Sequence, residues 1–323
     1  MNVKNGAVGI AALLLALSLA GCGRGGRPNV LLITLDTTRA DRLGCYGATN
    51  AYTPNLDRLA KDGAVYEQAR TTCPLTLPAH ASLLTGLTPL RHGLRVNDAG
   101  KLPEAVATLP GLFRSRGYAT AAFVSAAVLD GRYGLNRGFD HYDDRLPDEL
   151  FGEAARQDPL RAANPPETGG DETANRVIQW FEGRRAPWFV WVHFYDAHAP
   201  YQPHAAFEGK GVLHPYDQEI AFVDEQVGRL VKMLKKRGEY RRTVVVAVGD
   251  HGESLGEHGE LEHGMTLYEG AIRVPLIIKG GGRGMRGKRI SRPVSITQVA
   301  PLLAAEAGSS WSAGEVGDRQ SSL

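Results

Sequence analysis

Five apolar runs separated by amphipathic stretches limit what this chain can fold into. They are Asn29 to Leu35 (Asn-Val-Leu-Leu-Ile-Thr-Leu), Ala119 to Ser125, Trp188 to Phe194, Thr243 to Val248 and Val274 to Ile278. A strand with one wet face alternates apolar with polar residues; a near-continuous apolar run is a strand buried on both faces. The stretches between them carry helical spacing. Pro54 opens one helix bearing Leu56, Leu59 and Ala60, with Gly63 as its stop, and Leu109 to Arg116 reads as another. Ala174, Val177, Ile178 and Phe181 recur three and four apart, as do Ile220, Val223, Val227, Leu230, Val231 and Leu234. The second of these helices ends in Lys235, Lys236 and Arg237, where the helix dipole favours cations. Val294 to Ala307 reads as a closing helix. Strands alternating with helices predict an α/β fold with three layers and a doubly wound, mostly parallel sheet.

With 323 residues, 43% of them hydrophobic, one large domain has core enough. A net charge of +2 gives no electrostatic footprint for a nucleic-acid polymer, and none is expected as a partner. Lys4 and the apolar run from Val8 to Ala20 read as a targeting segment, too short for a typical membrane-spanning helix. It ends in Leu19-Ala20-Gly21-Cys22, which resembles a bacterial lipobox. The expectation is a lipoprotein signal peptide at 1–22, a tether at 23–27, a catalytic domain at 28–308 and a polar tail at 309–323. Acylation of Cys22 would anchor the protein to the bacterial cell envelope, on its periplasmic or extracellular face. Cys45 and Cys73 make no disulfide framework and read as packing residues.

In doubly wound sheets ligands bind beyond the carboxyl ends of the strands. Three runs end in an acid there: Asp36, Asp196 and Asp250. His251 follows Asp250 directly, His198 lies two residues past Asp196, and His263 lies in the glycine-rich loop beyond His251. Together they offer the mixed oxygen and nitrogen ligands suited to zinc or a similar divalent ion. Thr76 precedes Leu77-Pro78 and a short helix from Ala79 to Leu84, closed by Gly86. Its hydroxyl reads either as a helix cap or, beside a metal ion, as a nucleophile. Residues 130–170 are irregular and predict a surface excursion, and the basic residues from Lys279 to Arg292 read as a solvated loop. Arg39 and Asp41 read as a local ion pair, His80 and His92 as structural, and His141, His204, His214 and His258 as surface or loop residues.

Residues 29–47, Asn-Val-Leu-Leu-Ile-Thr-Leu-Asp-Thr-Thr-Arg-Ala-Asp-Arg-Leu-Gly-Cys-Tyr-Gly, resemble the opening of the sulfatases, within the alkaline phosphatase superfamily. So do Thr53-Pro54-Asn55-Leu56-Asp57-Arg58-Leu59-Ala60, Gly249-Asp250-His251-Gly252-Glu253 and Arg273-Val274-Pro275-Leu276-Ile277-Ile278. The resemblance covers about residues 28–308. It implies an alkaline-phosphatase-like fold and a metal-dependent hydrolase of ester bonds. Sulfatases usually continue into a smaller C-terminal subdomain, and the expectation here is a core without it.

Where sulfatases carry Cys-x-Pro-Ser-Arg, whose Cys becomes formylglycine, this chain has Thr76-Leu77-Pro78-Ala79-His80. Thr cannot form formylglycine. The second Asp of the usual sulfatase pair is Thr37 here. The stretch is more similar to the nucleotide pyrophosphatase/phosphodiesterase branch, which uses Thr-Phe-Pro-x-His and then Thr-Gly-Leu-x-Pro, His-Gly and Asn. Thr76, Pro78, His80, Thr85-Gly86-Leu87, Pro89, His92-Gly93 and Asn97 match it. That likeness implies Thr76 as nucleophile and Asn97 as a donor to a non-bridging oxygen. It implies Asp36, Asp250 and His251 as ligands of one metal, and Asp196, His198 and His263 as ligands of a second. In sulfatases the position of His198 serves the leaving group instead. The resulting expectation is hydrolysis of phosphate or sulfate esters, phosphate in preference, through a covalent Thr76 ester and one or two zinc ions (calcium, magnesium or manganese otherwise). The substrate would be a small-molecule, lipid or glycan ester. The loop from Asp250 to Gly264 also resembles the phosphoethanolamine transferases, which use a Thr nucleophile. A group transferase, a formylglycine-type sulfuric ester hydrolase and an inactive anion-binding relative are the alternatives.

Overall fold

The computed structural model describes residues 26–146, 167–280 and 284–311. The expected signal peptide, most of the expected tether, much of the 130–170 excursion and most of the expected polar tail lie outside the described residues. Among those described, no helix is long and apolar enough to cross a membrane.

In chain order the strands are β1 (Asn29–Leu35), β2 (Ala64–Tyr66), β3 (Ala69–Arg70), β4 (Ala119–Phe123), β5 (His141–Asp143) and β6 (Trp188–Phe194). They continue with β7 (Thr243–Gly249), β8 (Ser254–Leu255), β9 (Leu261–Glu262), β10 (Leu276–Lys279), β11 (Lys288–Ile290) and β12 (Val294–Ser295). Eight of them form one sheet in the order β11-β2-β10-β7-β1-β6-β4-β5. β1 is central, with parallel neighbours β6 and β7 on its two sides. Only β10 runs against its partners, β2 and β7. The fold is the expected α/β sheet, mostly parallel and covered on both faces.

The pleat sorts β1 between two cores. Val30 and Leu32 join one apolar cluster, with the helices Thr76–Thr85, Leu109–Ser115 and Val299–Glu306. Leu31, Ile33 and Leu35 join the other, with the helices Pro54–Asp62, Gly170–Trp180 and Pro215–Lys236. Every residue of β1, β6 and β7 is buried, which is why these runs carry almost no polar residues.

β2, β5 and β11 carry no periodicity that a sequence reading can detect, because each is three residues long. β11 corrects the reading of the basic stretch as a solvated loop: Lys288 to Ile290 is an edge strand paired in parallel with β2. Charged residues on an edge protect it from further pairing. Lys279 is buried, donating from Nζ to the carbonyls of Tyr240 and Thr243. The closing segment begins as β12 before its helix, rather than as one helix from Val294.

Gly63 ends the helix Pro54–Asp62 directly against β10. A Cβ there would lie 2.4 Å from the Ile278 carbonyl oxygen and 2.7 Å from Lys279 Cα, both backbone atoms that cannot swing aside. Gly63→Ala is therefore expected to cost about 1–3 kcal/mol, the usual toll of overpacking. A lower urea midpoint at unchanged slope would show it, and an unchanged midpoint would contradict the packing.

Candidate active site

Asp36, Asp250 and His251 meet because the pleat aims them at one face. Even-numbered positions of β1 (Val30, Leu32) and β7 (Val244, Val246, Val248) face the cluster that includes the helix Thr76–Thr85. Asp36 and Asp250 continue that parity just past the strand ends. β1 and β7 pair Leu35 with Gly249, so the two acids stand side by side. After Asp36 the chain turns at Thr37, whose φ of 48° is unusual for a β-branched residue. The Thr37 carbonyl accepts a hydrogen bond from the Tyr216 hydroxyl at 2.7 Å, which pins the turn.

One ligand atom from each of Asp36, Asp250 and His251 lies within 4.8 Å of the others, and all three residues are buried. Asp36 Oδ1 and Asp250 Oδ2 are buried without a hydrogen-bond partner. They lie 3.8 and 3.4 Å from His251 Nε2. His251 Nδ1 donates to the Gly252 carbonyl at 2.9 Å, which leaves the Nε2 lone pair facing the acids. Burial pushes the Asp36 carboxyl up to about 8, partly offset by the charge of His263. Burial, then the charge of Asp36, raises Asp250 well above the carboxylate range. Burial also drives His251 well below the usual histidine value. Two unsatisfied carboxylate oxygens and a neutral imidazole fit a divalent cation as donor set.

Thr76 is the first residue of its helix, and Leu75 is the cap. The helix start carries no side-chain cap bond, so the Thr76 hydroxyl is not spent on capping. Thr76 Oγ1 lies 3.2 Å from His251 Nε2, to which it donates. Asn97 Oδ1 accepts from the Leu77 N–H at 3.0 Å, leaving the Asn97 amide hydrogens as donors. His80 sits under the site rather than apart from it. Its Nδ1 donates to the Thr76 carbonyl at 2.7 Å and lies 3.5 Å from Asp250 Oδ2.

The second expected set is not gathered. His198 and His263 approach each other edge to face at 5.0 Å, but Asp196 does not join them in a metal-binding group. Asp196, two residues past the end of β6, continues the parity of Val190, Val192 and Phe194, which face the other core. Its Oδ1 accepts from Gly170 N at 2.7 Å, at the start of the helix Gly170–Trp180. A carboxylate is favoured there by the helix dipole. His263 lies 4.3 Å from His251, ring to ring, and bonds Glu253 Oε1 through Nδ1 at 3.1 Å. Burial opposes charge on His263, but the bond to Glu253 and the carboxylates around it raise its pKa. His198 is lowered to about 4, by burial and then by His263; its Nδ1 donates to the Ala199 carbonyl at 2.6 Å.

Sequence reasoning missed His193, Glu253 and the wider role of Arg39. His193 Nε2 lies 2.9 Å from Asp36 Oδ2; the signal was a histidine inside an otherwise apolar strand. Arg39 makes the expected pair with Asp41 at 2.8 Å, and also binds Glu257 and the Glu253 carbonyl, tying down the loop that carries Glu253 and His263. Cys45 and Cys73 are free, and burial raises their thiols to about 12 and about 11. His92 bonds Ser82 Oγ and the Leu94 N–H, a structural role. His141 lies in β5, and His214 caps the helix Pro215–Lys236 through the Tyr216 N–H.

Solved structures share this architecture. The phosphonate monoester hydrolase of Agrobacterium radiobacter superposes with a TM-score of 0.71 at 24% identity, over 87% of this chain and 74% of that one. The fold is thus of the alkaline-phosphatase-like class. The family model named Sulfatase matches residues 28–309, and the chain belongs to the sulfatase family. N-acetylgalactosamine-6-sulfatase of Rattus norvegicus is 27% identical over 311 residues, covering 82% of this chain and 59% of the relative. Steryl-sulfatase of Mus musculus is 26% identical over 405 residues, covering 93% and 65%. The chain therefore spans less than two thirds of the length of these relatives.

A carboxyl whose pKa rises on folding favours the fold only while protonated. For Asp36 that contribution is complete below about pH 4, the unfolded value, and is lost as pH rises through about 8. Metal-free protein should therefore lose stability across that window. Asp36→Asn should match the wild type in Tm below about pH 4 and exceed it at pH 8, both without metal. A variant less stable than the wild type at pH 8 would contradict the unrelieved burial of Asp36.

Proposed function

We propose that the protein hydrolyses phosphate or sulfate esters, phosphate esters in preference, with Thr76 as nucleophile. The observation that carries the reading is the Thr76 hydroxyl 3.2 Å from His251 Nε2, beside two buried carboxylates with unpartnered oxygens. Asp36, Asp250 and His251 would hold one divalent cation, with zinc the best match to two oxygens and one nitrogen. When bound, such an ion supplies Lewis-acid charge and eases loss of the nearby hydroxyl proton.

The remaining work falls to the chain. Thr76 Oγ1 gives up its proton to water and attacks phosphorus, or sulfur, in line; the new Oγ1 bond forms as the ester oxygen leaves with its electron pair. Asn97, with its carbonyl fixed on Leu77 N–H, offers amide hydrogens to a non-bridging oxygen. His263, protonated and held by Glu253, gives its proton to the departing oxygen. Of the two histidines open to the leaving-group role when one metal binds, His198 and His263, burial keeps His198 neutral, which favours His263. Water, giving its proton to the now neutral His263, then attacks the phosphorus or sulfur of the Thr76 ester; Thr76 Oγ1 leaves and takes a proton from solvent, restoring the hydroxyl. The names of the relatives suggest sugar or sterol alcohols as the group released.

Paired aryl phosphate, bis-aryl phosphate and aryl sulfate substrates test this reading. Zinc-loaded wild type should turn over the phosphates faster than the sulfate. Thr76→Ala should lose about a thousand-fold or more in kcat with its bound metal retained, and Thr76→Ser should keep part of the activity. Undiminished activity in Thr76→Ala would overturn the nucleophile, and faster sulfate turnover would overturn the preference. Release that requires an added alcohol acceptor would favour a transferase, and bound metal without turnover an anion-binding relative.

A further inference from the structure

We infer that His193 is a positioning residue that makes Asp36 a one-oxygen ligand, and that Ser125 sets the orientation of His193. This rests on the reading that Asp36, Asp250 and His251 hold a divalent ion.

His193 is the penultimate residue of β6, in register with Thr34 of β1, one pleat repeat before Asp36. Its parity on the strand matches Phe189 and Trp191, so it faces the same core as Asp36. The tautomer follows from its partners. Ser125 N–H points at His193 Nδ1 from 3.4 Å, so Nδ1 accepts and Nε2 carries the hydrogen. Nε2–H therefore donates to Asp36 Oδ2 at 2.9 Å. One carboxylate oxygen is thereby occupied, and the other, Oδ1, is left buried and unpartnered on the His251 side.

The arrangement is braced from behind. Ser125 Oγ donates to the His193 carbonyl at 2.5 Å and pairs with Thr173 Oγ1 at 3.0 Å. The bracing runs from the helix Gly170–Trp180 through Ser125 and His193 to Asp36. The His80 ring packs edge to face on His193 at 4.9 Å and limits its rotation. A carboxylate turns readily about its last torsion, which is broad and two-fold. Without the His193 donor, the two Asp36 oxygens would be free to exchange places, and the ordering that readies Oδ1 would fall to the ion. Partners of this kind behind metal ligands typically contribute 10–100-fold in affinity.

Three variants separate positioning from packing. His193→Gln places an amide N–H where Nε2–H was; His193→Asn is too short to reach Asp36; His193→Phe keeps a ring and removes the donor. Zinc affinity is read by competition with a chelating dye, the cobalt absorption spectrum reports coordination, and circular dichroism checks folding. The Gln variant should bind zinc within about threefold of wild type and keep its cobalt spectrum. The Asn and Phe variants should lose about 10–100-fold and change it. If the Phe variant does not fold, the Gln and Asn pair carries the same comparison. Asn and Phe variants that bind as wild type, or a Gln variant that loses as much as they do, would overturn the inference and leave the metal site standing. A wild type that binds neither zinc nor cobalt would overturn the metal site and the inference together.

Discussion

Two carboxylates, Asp36 and Asp250, stand side by side in a dry strand edge, each with an oxygen that no protein group satisfies. Burying one ionised group without a partner is costly, and burying two of like sign in contact is worse. The groups can answer by taking up protons, which is the direction burial drives them, or by sharing a cation. The scaffold prevents a third answer, moving apart. β1 and β7 fix their separation through register, Tyr216 pins the turn after Asp36, and His193 holds one Asp36 oxygen. Stability is thus given up locally at a place the rest of the sheet over-determines. Such sites are where function concentrates.

Strand pleating explains which sequence expectations the structure gathers in one place and which it does not. The apolar runs were legible because burial on both faces removes polar residues, and the acids beyond them were legible as the carboxyl edge of a parallel sheet. Proximity along that edge is only half of the geometry. Asp36 and Asp250 share a parity that faces the helix Thr76–Thr85, whereas Asp196 has the parity of Phe194 and turns to Gly170 on the other side. Three acids at one edge therefore do not make one site, and counting positions back along β6 is enough to separate Asp196 from the others. His193 has the correct parity, and was overlooked because a histidine within an apolar run reads as core.

The remainder was hidden for a different reason. Arg39 ties down Glu253 and Glu257 across more than two hundred residues of sequence, and no local pattern encodes that tie. β5 and β11 are held by their neighbours, with no pattern of their own to mark them. The Thr76 helix was legible from Pro78 and Gly86, but whether Thr76 caps it needed the structure. With Leu75 at the cap, the hydroxyl is left for His251, and Asn97 takes up the Leu77 N–H.

The most direct measurement is anomalous diffraction at the zinc edge from crystals of the zinc-loaded protein. The expected result is one strong peak bonded by Asp36, Asp250 and His251, with the Thr76 oxygen in reach of it and no second peak among Asp196, His198 and His263. Zinc bound elsewhere, or zinc in that cluster with the Thr76 oxygen turned away, would contradict the role given to the threonine.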